Sequence, residues 1–238
     1  MNKYLFEGDF SDDSLRWLKK RNEISKSSTH RANDLEKLQN EIIKNKDAAL
    51  SYFFATEFPF KTYRMQKVIL DNKNAKYAFL FAQNIPNCDI KALQNIVIDS
   101  EEIKYISKFA CFVEQADRLP LENIIIKSGK VKYAHMFLKH VKNADVNKFK
   151  SVIINSKKPR YLFELAKHLK DHKDIETIEN LIIESKSFTY MRLFAEKIKT
   201  ANVSKIEQAI LDSENINEIK KFAKYVKSSK MKRFILVL

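Results

Sequence analysis

Among side chains that bind metals or carry protons, the histidines come closest to a useful spacing. His168 and His172 stand four residues apart. On one helix that spacing puts two imidazoles on the same face and suits a divalent metal. His172 falls in a stretch that reads as loop, so the pair is expected to be two surface histidines. His140 and His168 recur at one position of a repeating unit, but the next two units carry Lys197 and Tyr225 there, which is no pattern for a general base. Cys88 and Cys111 are too few for a disulfide framework or a four-thiolate zinc site. They read as packed free thiols in a reducing compartment. Glu101-Glu102 reads as a helix start rather than an acid/base dyad. With only Gly8 and Gly129, a glycine-rich phosphate loop cannot form. The expectation is a protein that is not an enzyme and holds no cofactor or metal.

Lysines and amides, by contrast, fall in register with the repeat. Each unit is marked by a small polar anchor: Asn45, Asn72, Ser100, Ser128, Ser156, Ser185 and Ser213. The formal charge of +14 is uneven, with 19 Lys/Arg and 17 Asp/Glu in residues 1–119 and 25 and 13 in residues 120–238. An excess of that size on one half suits nucleic acid, an acidic protein face or another negative surface. In that half, lysines recur on what reads as the last turn of the second helix of each unit: Lys139 and Lys142, Lys167 and Lys170, Lys197 and Lys199, Lys224 and Lys227. Part of this column has a plain cause, since a cation at a helix C-terminus gains about 0.3–1 kcal/mol from the macrodipole. The column also suits a ridge for phosphate or carboxylate. Only eight of the 44 basic residues are Arg, and lysine favours non-specific attraction over planar bidentate reading. A second column lies five places before the anchor. Asn40 and Lys67 open it, and Asn95, Asn123, Ser151, Asn180 and Gln208 follow. A ladder of amides can bind a peptide backbone or base edges, one unit at a time.

The elements that position these columns are short helices. The anchors stand 27, 28, 28, 28, 29 and 28 residues apart, and a self-match at so constant a period marks a repeat architecture. Nine and ten places after the anchor come Phe54-Ala55, Phe81-Ala82, Phe109-Ala110, Phe137-Leu138, Leu165-Ala166, Phe194-Ala195 and Phe222-Ala223. Apolar residues at +3, +6, +9, +10 and +13 form a stripe at helical spacing, as in Ile103, Ile106, Phe109, Ala110 and Val113. This is helix B, and the anchor is placed to cap it by accepting a backbone N–H. Asp89, Asp117, Asp145, Asp174 and Asn202 are placed to cap the helix A that follows. Helices of ~10–12 residues are marginal alone and must bury their stripes against neighbours. Residues 1–33 read as an N-terminal capping segment, with a helix from Ser11 to about Ile24 and a polar loop SKSSTHRAND. Residues 34–238 form the repeat domain. The expected fold is all-α, an α-solenoid of about seven short helix-turn-helix repeats with an N-terminal cap. The last stretch, Phe234, Ile235, Leu236, Val237 and Leu238, reads as an unpaired helix without a polar closing face. Either it folds back on the array, or a second copy or a partner covers it.

Two units, SGKVKYAHMFLKHVKNADVNKF and SENINEIKKFAKYVKSSKMKRF, resemble a family of short tandem repeats in uncharacterised proteins of phages and low-GC bacteria. Those repeats run from a small polar residue to Tyr, Phe-Ala-Lys, Ala-Asn/Asp, then Ile and Leu-Glu. The likeness covers residues 34–238. It implies an α-solenoid and no particular activity. No apolar run reaches the ~18–20 residues of a membrane span, and a cytoplasmic protein is expected. The functional expectation is a non-enzymatic macromolecule-binding repeat protein that uses the basic face of residues 120–238. In its sharpest form it is a phage-type inhibitor of a host nucleoprotein or defence complex. The alternative is direct nucleic-acid binding by lysine-rich electrostatics. The expected partners are therefore a protein or nucleoprotein, then nucleic acid, then a second copy through the C-terminal helix.

Overall fold

The computed structural model describes residues 11–24 and 28–226, and among them every regular element is helical. The chain divides into two compact units, Met1–Ile125 and Ile126–Leu238. The first holds α1 (Ser11–Asn22), α2 (Ser28–Asn45), α3 (Ala48–Glu57), α4 (Thr62–Asn72), α5 (Ala75–Asn84), α6 (Ile90–Asp99), α7 (Ile103–Phe112) and most of α8 (Arg118–Lys127). The second holds α9 (Val131–His140), α10 (Val146–Asn155), α11 (Pro159–Ala166), α12 (His172–Glu184), α13 (Phe188–Lys197), α14 (Val203–Leu211) and α15 (Ile216–Tyr225). From α2 onward, even-numbered helices are helix A of a hairpin and odd-numbered ones helix B. The fold is the expected all-α array of short hairpins.

The expected stripe is the core. Phe54, Phe81, Phe109, Phe137, Leu165, Phe194 and Phe222 are each at most 1% exposed. The small residue beside most of them lets successive B helices close on one another. In the first unit α3 packs on α5 and α5 on α7; in the second α11 packs on α13 and α13 on α15. The helices α3, α5, α9, α11 and α13 are each also flanked by the helix A that follows, as α5 is by α6 and α11 by α12.

The anchor acts differently from the expectation: it closes helix A instead of capping helix B. Ser100, Ser156 and Ser185 are C-caps of α6, α10 and α12. Their hydroxyls donate to the carbonyls three residues back, Val97 and Ile153 at 2.7 Å and Ile182 at 2.6 Å. The same oxygens accept the N–H two residues on, from Glu102 at 3.2 Å and from Lys158 and Ser187 at 3.3 Å. The residue between swings into the left-handed region in all seven turns: Lys46, Lys73, Glu101, Gly129, Lys157, Lys186 and Glu214, with φ from 49° to 63°. Only Gly129 escapes the Cβ penalty of that region. The true N-cap of helix B therefore stands two places after the anchor. Asp47, Asn74 and Asn215 fill it and accept from the N–H of Leu50, Tyr77 and Glu218 at 3.0, 3.2 and 3.2 Å.

Caps of helix A follow the sequence reading with one exception. Asp89, Asp145 and Asn202 accept from Ala92, Asn147 and Lys205 at 3.0, 3.0 and 3.1 Å, and Asp117 accepts from Leu119 at 3.3 Å. Asp174 caps nothing. The extra residue of this unit lets α12 start earlier, under Asp171, whose carboxylate accepts from Lys173 at 2.7 Å. His172 thus opens a helix instead of lying in a loop. His168 lies in the turn after α11, so the two histidines share no helix face. The loop expected over SKSSTHRAND is helical from Ser28, because no Gly or Pro interrupts the run into α2. At the N-terminal end α1 covers α3: Trp17 is 6% exposed and lies 6.3 Å, centroid to centroid, from both Phe53 and Phe54. Phe234, Ile235, Leu236, Val237 and Leu238, and the contact expected there, lie outside the described residues. No described helix is long and apolar enough to cross a membrane.

Candidate functional site

The basic column of the second unit is on the surface. Lys139, Lys142, Lys167, Lys170, Lys197, Lys199 and Lys224 are all exposed, and Lys227 lies outside the described residues. Lys139, Lys197 and Lys224 sit in the last turns of α9, α13 and α15. Lys167 is the C-cap of α11, and Lys142, Lys170 and Lys199 stand in the turns beyond, so the column straddles the helix ends instead of lying wholly on the last turn. Lys167 pairs with Glu164 and Lys197 with Glu196, each at 2.8 Å. Lys139, Lys142, Lys170, Lys199 and Lys224 have no carboxylate partner among the described residues.

Further cations stand at the opposite end of the B helices, where the sequence reading did not look. Lys130 and Lys158 are the N-caps of α9 and α11, and Lys132 and Arg160 are the second residues of those helices. All four are exposed. A cation there opposes the macrodipole. Lys132 lies 5.7 Å from the Tyr133 ring centroid and Arg160 5.9 Å from that of Tyr161, which offsets part of this cost. Helix stabilisation therefore accounts for the lysines at the C-terminal ends and not for these. The signal was in the sequence, as Lys76, Lys104, Lys132 and Arg160 all precede the tyrosine five places after the anchor.

Between α9 and α11 the pattern of B helices closing on one another breaks. This pair does not make the close approach of α11 with α13 or α13 with α15. At this place α9 carries Leu138 where the other six B helices carry Ala, and α11 carries Leu165 where the others carry Phe. Leu138 is only partly buried and lines the resulting cleft of about 270 Å³, with His135, Lys139, Arg160, Glu164 and His168 around it and Ile153 of α10 among the apolar lining. The His135 ring lies 5.2 Å from that of Tyr161. Burial lowers the pKa of His135, Arg160, Lys139 and His140 lower it further, and Glu164 alone opposes them.

The amide column and its neighbour prove to be two different structures. Asn95, Asn123, Ser151 and Gln208 are exposed on helix A and Asn180 is half-buried. Asn180 Oδ1 accepts from Lys205 Nζ at 2.5 Å, and Gln208 donates to Asp212 at 2.7 Å, so both amides of the second unit are engaged within the chain. One residue earlier, six before the anchor, Gln39, Gln66, Gln94, Glu122, Glu179 and Glu207 are buried. Three of them bond to the backbone of a later helix cap. Gln66 accepts the N–H of Asp89 at 3.1 Å, and Glu179 accepts that of Asn202 at 2.7 Å. Gln94 grips the backbone of Asp117 from both sides, at 2.9 and 3.0 Å. Gln66, Gln94 and Glu179 thus each latch the cap of the helix A twenty-three residues on. In the shifted unit Lys150 replaces the latch with an ion pair to Asp174 at 2.7 Å.

Thiol chemistry finds no support. Burial pushes the Cys111 thiol up to about 12 and raises that of Cys88 as well. Among the described residues no three His, Cys, Asp or Glu gather in a group that would hold a metal. No family model, curated protein or solved structure matches the chain.

Proposed function

We propose that the chain is a non-catalytic repeat protein whose basic face, in residues 120–238, binds a phosphate backbone carried by a nucleoprotein or by nucleic acid itself. The observation that carries this reading is the set of exposed cations on the second unit without carboxylate partners among the described residues, at the C-terminal ends of its B helices and also at the N-terminal ends of α9 and α11. At the N-terminal ends these charges work against the helix dipole, so stability does not explain them. Lysine as the dominant cation suits attraction to a backbone over base reading. Net positive charge of this size also speeds encounter with a polyanion.

Fluorescence anisotropy with labelled single- and double-stranded oligonucleotides tests the proposal. Binding is expected at about 50 mM salt and is expected to weaken steeply towards about 200 mM, as counterion release requires. No binding of either strand form at the lower salt overturns the phosphate reading. A protein recovered from nuclease-treated lysate in salt-sensitive fashion would then assign the face to an acidic protein surface.

A further inference from the structure

We infer that the cleft between α9 and α11 is a binding site for a single phosphate group, held open by Leu138. The inference rests on the basic-face reading for the larger molecule that carries the phosphate. The cleft itself can be tested alone. Its volume of about 270 Å³ falls below the roughly 300–1,000 Å³ of small-molecule pockets. That is room enough for one charged group.

The chemistry of the wall selects an anion. Lys139, Arg160, His135 and His168 face one carboxylate, Glu164, which Lys167 already engages at 2.8 Å. A guanidinium offers the planar fork that suits phosphate oxygens, and imidazolium adds a charge-assisted donor. His135 faces Lys139 and His140 of its own helix and Arg160 and Glu164 of α11, with His168 from the following turn on the same cleft, whereas α10 contributes the apolar Ile153. A dianion in the cleft would oppose the burial and the cations that lower the His135 pKa, so binding raises that pKa while the phosphate remains dianionic.

Histidine-ring NMR of the full chain, titrated with inorganic phosphate at constant ionic strength, tests the site. Saturable shifts of His135 and His168 and a raised His135 pKa are expected. Lys139→Gln with Arg160→Gln should weaken phosphate at least tenfold. Leu138→Ala, which restores the residue of the other six units, should weaken it severalfold at unchanged charge with unchanged far-ultraviolet circular dichroism. No saturable shift, or the same shift in the double variant, overturns the site; unchanged affinity in Leu138→Ala overturns the role given to that side chain.

Oligonucleotides distinguish the source of the phosphate. If a nucleic-acid backbone supplies it, Lys139→Gln with Arg160→Gln costs more affinity than the charge-matched Lys142→Gln with Lys199→Gln. Equal losses from both pairs overturn the cleft as the backbone's anchor and leave the basic face standing. Phosphate binding without oligonucleotide binding supports the cleft, assigns it to a free phosphate or monoester, and overturns the backbone reading.

Discussion

Residues 1–125 and residues 126–238 are built from the same hairpin, yet the first stretch holds 19 Lys/Arg against 18 Asp/Glu and the second 25 against 12. In the first unit several cations are matched at once: Arg16 pairs with Asp47 at 3.2 Å, Lys20 with Glu41 at 2.8 Å and Arg21 with Glu57 at 2.7 Å. What that unit exposes instead is aromatic, with Phe60 at 73% and Tyr63 at 83%. The second unit leaves lysines without acidic partners among the described residues and holds a cleft lined by Leu138, where the other units carry Ala. The repeat constrains the interior, because each Phe and each latch must meet the next unit. It leaves the surface free to diverge, and the divergence carries the leads to function.

If the interior is shared, equal damage should cost equal stability in both units. Phe109→Ala and Phe194→Ala are each expected to lose about 3–5 kcal/mol, read by urea unfolding. A large loss in one and a small loss in the other would break the comparison. The latches come next. Gln94→Ala and Glu179→Ala each remove the acceptor of a part-buried N–H, at about 0.5–1.5 kcal/mol.

The latches also differ in pH response. Burial raises the Glu179 pKa above the usual carboxylate range. Folding therefore favours its protonated form, and the stability it contributes is full below that range and declines as pH rises through the folded pKa. Glu179→Gln, the residue type found at Gln66 and Gln94 in the first unit, should remove this decline while keeping the acceptor. Unfolding at pH 4 and pH 7 checks the sign. The smallest effect belongs to the left-handed turns: Glu101→Gly and Lys186→Gly should each gain under about 1 kcal/mol, since relief of the Cβ clash is partly offset by a more flexible unfolded chain.

Much of this frame was legible in the sequence because the period fixes which residues meet. Phe109 and Phe194 recur at one place, and only a buried stripe explains an aromatic there. The anchor serine misled because a hydroxyl between two helices serves the end of one as readily as the start of the next. The latch was missed by one residue. A step of one turns a side chain about 100° around the helix, so Gln94 is buried while Asn95 beside it is exposed. The extra residue before α12 let Asp171 take the cap that spacing assigned to Asp174. The cleft was illegible because it depends on how closely two helices approach. Leu138, the side chain inferred to hold it open, was visible in the sequence as a departure from Phe-Ala.

The central claim is that phosphate binding belongs to the placement of lysines on the second unit and not to net charge. Two variants of equal charge change test it by anisotropy at about 50 mM salt. One carries Lys142→Glu, Lys170→Glu, Lys199→Glu and Lys224→Glu; the other carries Lys44→Glu, Lys67→Glu, Lys73→Glu and Lys91→Glu. The account expects the first to lose about 100-fold in oligonucleotide affinity and to show a shallower salt slope, by roughly 0.9 per lost phosphate contact, with little change in the second. Equal losses in the two variants would contradict it.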